Sequence, residues 1–206
     1  MGTMDFALLK HYGIPTLPYA IAPDAQTACR EAKKIRYPVA LKLISSKFLH
    51  KSDAGALALN VRDETVLVLE YARLMSLAVG DRQASILIQA FRPGRFELIV
   101  GGRTDPQFGP VLMLGLGGIY TEVLRDTALR ICPIDKAEAR AMIRSLRAYP
   151  ILSGARGRKP MDEGALVRVL IDVAKLMARE KPRELDLNPV LVRDDGVWVA
   201  DVRVLK

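Results

Sequence analysis

Short apolar runs alternate with amphipathic segments along the chain. The segments with helical spacing predict helices at 5–12, 25–36, 63–77, 136–146 and 162–179. The apolar runs predict strands at 37–44, 54–61, 85–91, 96–103, 110–116, 184–192 and 197–204. Asp24 and Asp162 stand where two of the helices need an N-cap, and Asp195-Gly196 predicts a hairpin turn between the last two strands.

The order of these elements favours a mixed architecture of helices and strands with largely antiparallel sheets, because the strands are joined by hairpin-type turns. The sequence shows no internal repeat, no low-complexity segment and no obvious linker. We therefore expect one compact unit over residues 1–206.

Composition narrows the class of protein. Half of the residues are hydrophobic and 26% are charged, as in ordinary globular proteins. No run approaches the roughly 20 apolar residues that cross a bilayer, and the N-terminus lacks a secretory pattern. The two cysteines, Cys29 and Cys132, lack metal-site spacing and are interpreted as small buried hydrophobes. These features predict a cytoplasmic protein without a membrane partner.

The net charge of +8 permits two kinds of partner. Nucleic acid is disfavoured, because the basic residues are scattered and aromatic residues make up only 6% of the chain. A positive field also suits polyphosphates such as ATP or coenzyme A.

Lys42 lies inside an otherwise apolar predicted strand. Burying an ammonium group is costly unless it meets an anion, so one interpretation is a lysine that binds a nucleotide phosphate. The alternative is a lysine whose stem lies along apolar surface while its charged end reaches water.

Segment 45–58 concentrates hydroxyl groups, lysines, a glycine and His50 between two predicted strands. Backbone N–H groups and lysines of such a loop suit phosphate oxygens. Neutral imidazole is a competent nucleophile near pH 7, which makes His50 a candidate phosphoryl acceptor. The alternative is a polar loop residue without a catalytic role.

A glycine cluster formed by Gly115, Gly117 and Gly118 follows a predicted strand and leads toward a possible helical turn. This arrangement recurs in anion-binding loops. The spacing matches neither a P-loop nor a dinucleotide fingerprint, so the cluster alone is a weak indication.

The closing hairpin carries candidate metal ligands. Asp186 and Asn188 are two residues apart, so their side chains share one face of a strand, and Asp201 could lie across from them. Carboxylate and amide oxygens are ligands that Mg²⁺ prefers. The alternative is a polar strand face.

Taken together, these residues resemble the nucleotide-binding subunits of ADP-forming acetyl-CoA (acyl-CoA) synthetases, which belong to the ATP-grasp superfamily. The resemblance runs from Leu8 to Asp201. It is carried by Leu41-Lys42, His50-Lys51-Ser52-Asp53 with Gly55, Gln89, Gly94 with Glu97, Asp105-Pro106 with Phe108-Gly109-Pro110, Gly115 with Gly117-Gly118 and Glu122, Gly154 with Arg156-Gly157, and Asp186 with Asn188-Pro189. The family commonly has two adjacent glycines after the His-Lys-Ser-Asp motif, whereas this chain has Gly55-Ala56.

The resemblance implies an α+β ATP-grasp fold of two lobes with largely antiparallel sheets that clamp the nucleotide. The smaller lobe would span about 20–90, and the larger one about 91–206 with the N-terminal helix. Several nucleotide-binding roles are also implied: Lys42 and Gly55 at the phosphates, the connector Gln89, Ala90 and Phe91 at the adenine, Glu97 near the ribose, and Gly115, Gly117 and Gly118 in a phosphate loop. Asn188 and Asp201 would bind Mg²⁺ with support from Asp186.

The implied reaction is acyl-CoA + ADP + phosphate ⇌ acid + CoA + ATP, a ligase reaction that uses Mg²⁺ and ATP/ADP. His50 would be a phosphohistidine beside the nucleotide. A CoA-binding alpha subunit, or an equivalent domain, would complete the enzyme in a heterotetramer.

Two other functions remain open at this stage. An ATP-grasp carboxylate–amine ligase would need no phosphorylated histidine, and it usually carries an extra substrate domain for which this chain has no spare length. A non-catalytic nucleotide-binding regulatory subunit is compatible with Ala56.

Overall fold

The computed structural model describes residues 4–45, 55–118 and 126–206. Their elements are, in chain order, α1 (Phe6–His11), β1 (Tyr19–Ala22), α2 (Ala25–Ile35), β2 (Val39–Ile44), β3 (Leu57–Val61), α3 (Glu64–Leu77), β4 (Ser85–Ala90), β5 (Phe96–Asp105), β6 (Gly109–Leu116), β7 (Thr127–Ile131), α4 (Lys136–Arg144), α5 (Tyr149–Leu152), a 3₁₀ helix (Ala155–Gly157), α6 (Glu163–Glu180), β8 (Glu184–Arg193), β9 (Gly196–Val199) and β10 (Val202–Leu205). Among the described helices, none combines the length and apolarity that a membrane span requires.

The chain forms two compact units, a smaller unit of residues 17–92 and a larger unit of residues 1–16 and 93–206. The smaller unit is a four-stranded antiparallel sheet in the order β1-β4-β2-β3. Helices α2 and α3 pack on one face of this sheet. That face includes the buried residues Leu41, Leu43, Ile86 and Ile88.

The larger unit is built on an antiparallel sheet in the order β10-β8-β5-β6-β7, with β9 also paired to β8. Helix α6 lies against one face of this sheet and buries nine of its side chains. The contact is close, because a Cβ atom at Gly102 of β5 would lie 2.6 Å from the Met177 sulfur. A larger residue at position 102 would therefore require the Met177 side chain to adopt another conformation.

Aspartates begin most of the longer helices. The carboxylate of Asp24 accepts a hydrogen bond from the Thr27 N–H at 2.7 Å, and that of Asp162 accepts one from Ala165 at 2.8 Å. Both predicted N-caps are thus confirmed. Asp135 forms a capping box with Glu138 at the start of α4.

The expected α+β architecture with antiparallel sheets is confirmed. Four short elements were not predicted: the strands β1 and β7, the helix α5 and the 3₁₀ helix. The strand expected at 197–204 is two strands, because the pairing with β8 is interrupted at Ala200 and Asp201. Both cysteines are buried free thiols, as predicted.

Candidate functional site

The face of the larger sheet opposite α6, here called the outer face, carries the predicted metal ligands. Along β8, Leu185 and Leu187 are fully buried, whereas the alternate residues Glu184, Asp186 and Asn188 are at least partly exposed. The period of two that the sequence predicted is therefore present. It places Asp186 and Asn188 on the same face of β8.

Asp186 lies between Gly101 of β5 and Arg203 of β10 in the register of the sheet. Burial raises the pKa of the Asp186 carboxyl, and the negative charges of Glu184 and Asp201 raise it further, against the lowering effect of Arg203. These causes show that Asp201 lies close enough to Asp186 to repel its charge. A cation bound beside both carboxylates would relieve that repulsion.

Asn188 and Asp201 lie opposite each other where the β8–β10 pairing is interrupted. The Asn188 N–H donates to the Asp201 carbonyl oxygen at 3.3 Å, and the Asp201 carboxylate accepts a hydrogen bond from the Val202 N–H at 3.0 Å. The interruption keeps residue 201 out of either strand. The structure thus brings together the three residues that the sequence singled out on the closing hairpin.

The donor set of this group suits one cation in particular. It consists of two carboxylates and one amide, which are hard oxygen ligands. Magnesium commonly takes one or two carboxylates from a protein and completes its shell with phosphate and water. Across the described ranges, no group of three or more His, Cys, Asp and Glu residues is placed so that it could hold a metal ion.

Lys42 and Gln89 share one face of the smaller sheet, the face away from α2 and α3. Lys42 pairs with Leu87 and Ala40 pairs with Gln89, so the two polar side chains are diagonal neighbours on adjacent strands. Lys42 is 7% exposed and Gln89 is 1% exposed. The lysine is therefore buried on its strand, which disfavours the alternative in which its charged end reaches water.

The Gln89 amide nitrogen has no hydrogen-bond partner. Elsewhere in the described residues, the buried side-chain atoms that share this property are the hydroxyls of Tyr37 and Tyr71. An unpaired buried donor is costly, and it is a feature of a site that a ligand completes.

The backbone N–H groups of two predicted connector residues, Ala90 and Phe91, already have hydrogen-bond partners within the protein. The Ala90 N–H donates to the Pro18 carbonyl at 2.8 Å, and the Phe91 N–H donates to the Pro38 carbonyl at 3.0 Å. Any contact of these two residues with a ligand is thus left to their carbonyl oxygens and to the Phe91 ring.

His50 and the rest of 46–54 lie outside the described residues, but the flanks of this segment are described. On one side, the Ser45 hydroxyl donates to the Asp81 carboxylate at 2.6 Å. On the other, the Arg73 guanidinium of α3 donates to the carbonyl oxygens of Gly55 at 2.8 Å and Leu57 at 3.3 Å. Both flanks are therefore tied to α3 or to the residues that follow it. The sequence analysis missed Arg73, because nothing local marks an exposed helix arginine as an anchor.

Gly55 and Ala56, the two residues after segment 46–54, differ in what constrains them: backbone conformation for Gly55 and burial for Ala56. Gly55 has a φ of +66°, which favours glycine. Ala56 is fully buried and belongs to the hydrophobic core of the smaller unit. The methyl group that departs from the family pattern thus points into the core rather than toward an exposed surface.

The glycine cluster is explained in part by packing. The Gly117 N–H donates to the Glu97 carbonyl oxygen at 2.7 Å, and a Cβ atom at Gly117 would lie 2.8 Å from that oxygen. Gly118 has a φ of +70°, and the Glu97 carboxylate lies 3.6 Å from where its Cβ atom would be. The cluster therefore brings the end of β6 against Glu97. A phosphate-binding role for Gly115, Gly117 and Gly118 stays a prediction.

Comparisons with known proteins cover the whole chain. The ATP-grasp domain family matches residues 3–205. The acetate–CoA ligase [ADP-forming] I of Archaeoglobus fulgidus is 42% identical over all of this chain and 30% of its own length. The subunit beta of the acetate–CoA ligase [ADP-forming] I of Pyrococcus furiosus is 38% identical over 96% of this chain and 88% of its own length.

Solved structures agree with these relatives. An acetyl-coenzyme A synthetase 1 of Ca. Korarchaeum cryptofilum, in complex with coenzyme A and Ca-AMPCP, superimposes with a TM-score of 0.92 at 34% identity. That match covers 99% of this chain and 93% of the other. The chain therefore spans less than a third of the length of some relatives and most of the length of others. It belongs to the ATP-grasp family, in the group formed by the beta subunits and equivalent domains of ADP-forming acetate–CoA ligases.

Proposed function

We propose that this chain is the nucleotide-binding part of an ADP-forming acyl-CoA synthetase, which converts acyl-CoA, ADP and phosphate into the acid, CoA and ATP. One observation carries the proposal. The carboxylates of Asp186 and Asp201 and the amide of Asn188 are gathered on one sheet face of a chain that matches ADP-forming beta subunits over nearly their whole length.

Each candidate residue has a role in this proposal. Lys42 binds phosphate oxygens of the nucleotide, Gln89 donates the hydrogen bond that its amide nitrogen lacks, and Glu97 binds the ribose. Asn188 and Asp201 hold Mg²⁺ with support from Asp186. When bound, the ion neutralises charge on the transferred phosphoryl group and on ADP.

The phosphoryl carrier is His50. In the direction of ATP synthesis, the bond between a ring nitrogen and phosphorus breaks while a β-phosphate oxygen of ADP bonds to the same phosphorus. The other ring nitrogen of the phosphohistidine carries a proton in this step, so the imidazole leaves as a neutral ring, and Lys42 offsets the negative charge that the nucleotide brings. The glycine cluster after β6 supports the phosphates through backbone N–H groups.

A CoA-binding subunit or domain completes the enzyme. Two kinds of relative support this part of the proposal: one is named a subunit beta, and in another the matching region is 30% of a longer chain. The isolated chain is therefore expected to bind Mg·ATP without turning over acyl-CoA.

The test is phosphoryl labelling of the only two histidines, His11 and His50. We expect γ-labelled Mg·ATP to give acid-labile, stoichiometric labelling of the wild type and of His11→Ala, and none of His50→Ala. His11 lies in the exposed part of α1 and serves as the matched control. Tight ATP binding by the wild type without any labelling contradicts the proposal and indicates a non-catalytic subunit.

A further inference from the structure

The outer face of the larger sheet changes from polar to apolar between β8 and β7. One row across the sheet runs through Asp186, Gly101, Met113 and Leu129, each paired in register with the next. The row beside it ends in Val111 and Ile131. The side of the sheet that includes β6 and β7 therefore presents hydrocarbon where the β8 side presents carboxylate.

The apolar part is exposed. Leu129 is 59% exposed and Ile131 is 54% exposed, and Val111 and Met113 of β6 are half-buried beside them. We call these four residues the β7 surface. Strand β7 lies at one edge of the sheet, and in the described residues it pairs with β6 alone. Proteins normally protect such edges with charged residues or proline, so two exposed aliphatic side chains on an edge strand indicate a surface that is covered in the assembled protein.

The turn between β5 and β6 places an aromatic ring at the same end of the sheet. Phe108 is 56% exposed. The Asp105 carboxylate fixes the turn by accepting hydrogen bonds from the N–H groups of Gln107 at 2.9 Å and Phe108 at 3.1 Å. The Cys132 N–H, next to Ile131, donates to the Pro110 carbonyl at 2.8 Å and ties β7 to this turn. These bonds fix the backbone that carries the exposed ring, and aromatic residues are frequent anchors at protein interfaces.

The β7 surface is also close to the candidate magnesium ligands. Leu129 and Asp186 are separated by three strand spacings, which is roughly 14 Å. A protein that covers the surface would thus lie beside the group that handles phosphate. In some relatives the matching region is a separate subunit, and in others it is less than a third of one chain. In both cases we expect a second subunit or domain to pack against this one.

We propose that the β7 surface, together with Phe108, docks the CoA-binding subunit or domain of the synthetase. This inference rests on the proposed function. The complementary surface of the partner is apolar at its centre and accommodates the Phe108 ring.

The test uses paired substitutions of exposed aliphatic residues. Leu129→Glu combined with Ile131→Glu introduces two carboxylates into the β7 surface. The control combines Leu69→Glu with Val79→Glu, which are 67% and 75% exposed in the smaller unit. Each variant and the wild type are titrated with the purified CoA-binding subunit or domain from the same organism, and Kd is measured by isothermal titration calorimetry. Kd for Mg·ATP and the thermal midpoint are measured in parallel.

We expect the β7 pair to weaken partner binding at least tenfold and to change the Kd for Mg·ATP by less than twofold. The control pair is expected to leave both constants within twofold of the wild type. If the β7 pair lowers the thermal midpoint, Leu129→Ser with Ile131→Thr replaces it, because serine and threonine are tolerated on an exposed strand. Phe108→Ala is expected to weaken partner binding about threefold or more.

Three outcomes overturn the proposal. Equal partner binding by wild type and the β7 pair shows that the partner docks elsewhere, while labelling of His50 leaves the proposed function standing. Equal losses in the β7 and control pairs show that the effect is not specific to this surface. A wild type that neither binds the partner nor becomes labelled on His50 removes the proposed function and this inference together.

Discussion

Gly101 lies directly opposite Asp186 in the pairing of β5 with β8. A glycine adds no side chain to the outer face at this position, and the Met113 methyl group lies 3.3 Å from where a Cβ atom of residue 101 would be. The other flank of Asp186 is Arg203. The carboxylate is therefore partly buried and lies near two like charges and one cation, which is why its pKa is raised.

Replacing Asp186 by asparagine is expected to stabilise the protein at pH 7. A carboxyl whose folded pKa is raised contributes stability below its unfolded pKa of about 3.9 and loses that contribution as pH rises through the folded pKa. Asp186→Asn removes the charged form, so its advantage over the wild type should be present at pH 7 and disappear on acidification. Urea unfolding from pH 3 to pH 8 in the absence of magnesium measures this difference.

Asp194→Asn is the matched control for that series. A backbone hydrogen bond and Lys159 lower the pKa of the Asp194 carboxyl, so its substitution should destabilise the protein at pH 7. Under the proposed function, Asp186→Asn should also weaken Mg·ATP binding at least fivefold, whereas Asp194→Asn should not. A wild type that is more stable than Asp186→Asn at pH 7 contradicts the assignment of the raised pKa.

Replacing Lys42 by methionine separates folding from ligand binding. Methionine keeps the length of the side chain in a position that is 7% exposed and removes the ammonium group. We expect the free energy of unfolding to stay within about 1.5 kcal/mol of the wild type, as for well-tolerated core substitutions. Under the proposed function, the Kd for Mg·ATP, measured by calorimetry, should rise at least tenfold because the proposed contact of Lys42 with phosphate is lost. Lys136→Met, at the exposed start of α4, is the control, and an equal loss in both variants argues against a specific role for Lys42.

Replacing Gly117 by alanine tests the close approach of β6 to Glu97. The new methyl group would lie 2.8 Å from the Glu97 carbonyl oxygen, so the backbone has to move. Overpacking of this kind costs about 1–3 kcal/mol, and urea unfolding measures the loss. Gly164→Ala at the start of α6 is the control, because its nearest neighbour would be an ordinary 3.4 Å away. Equal stability of the two variants would show that the approach is not fixed.

The main elements could be predicted because their signals are local. Strands β2 and β4 are mostly apolar runs. Asp24 and Asp162 cap their helices through a side chain three residues from the bonded N–H. The position of Asp186 and Asn188 on the same face of β8 followed from the two-residue period of a strand. The proximity of Asp201 was foreseeable because a hairpin turn was predicted before it, although the turn residues are Asp194-Asp195 and Gly196, predicted to be in the turn, begins β9.

The missed elements are those that depend on distant partners. Strand β1 has four residues between prolines, and β7 has five, so neither carries a pattern long enough to read. The role of Gly117 depends on a carbonyl group twenty positions earlier in the chain, on a neighbouring strand. Arg73 also depends on distant partners, because it bonds the carbonyl groups of Gly55 and Leu57, which lie 18 and 16 positions earlier in the chain.

The change from carboxylate to hydrocarbon across one sheet face has an evolutionary consequence. The carboxylates lie on β8 and beside β10, the aliphatic side chains lie on β6 and β7, and β5 separates them. Substitutions in one group therefore need not disturb the other. If the β7 surface docks the CoA-binding subunit or domain as proposed, positions 129 and 131 can change to suit a different partner surface. Under the proposed function, positions 186, 188 and 201 are constrained instead by magnesium and the nucleotide.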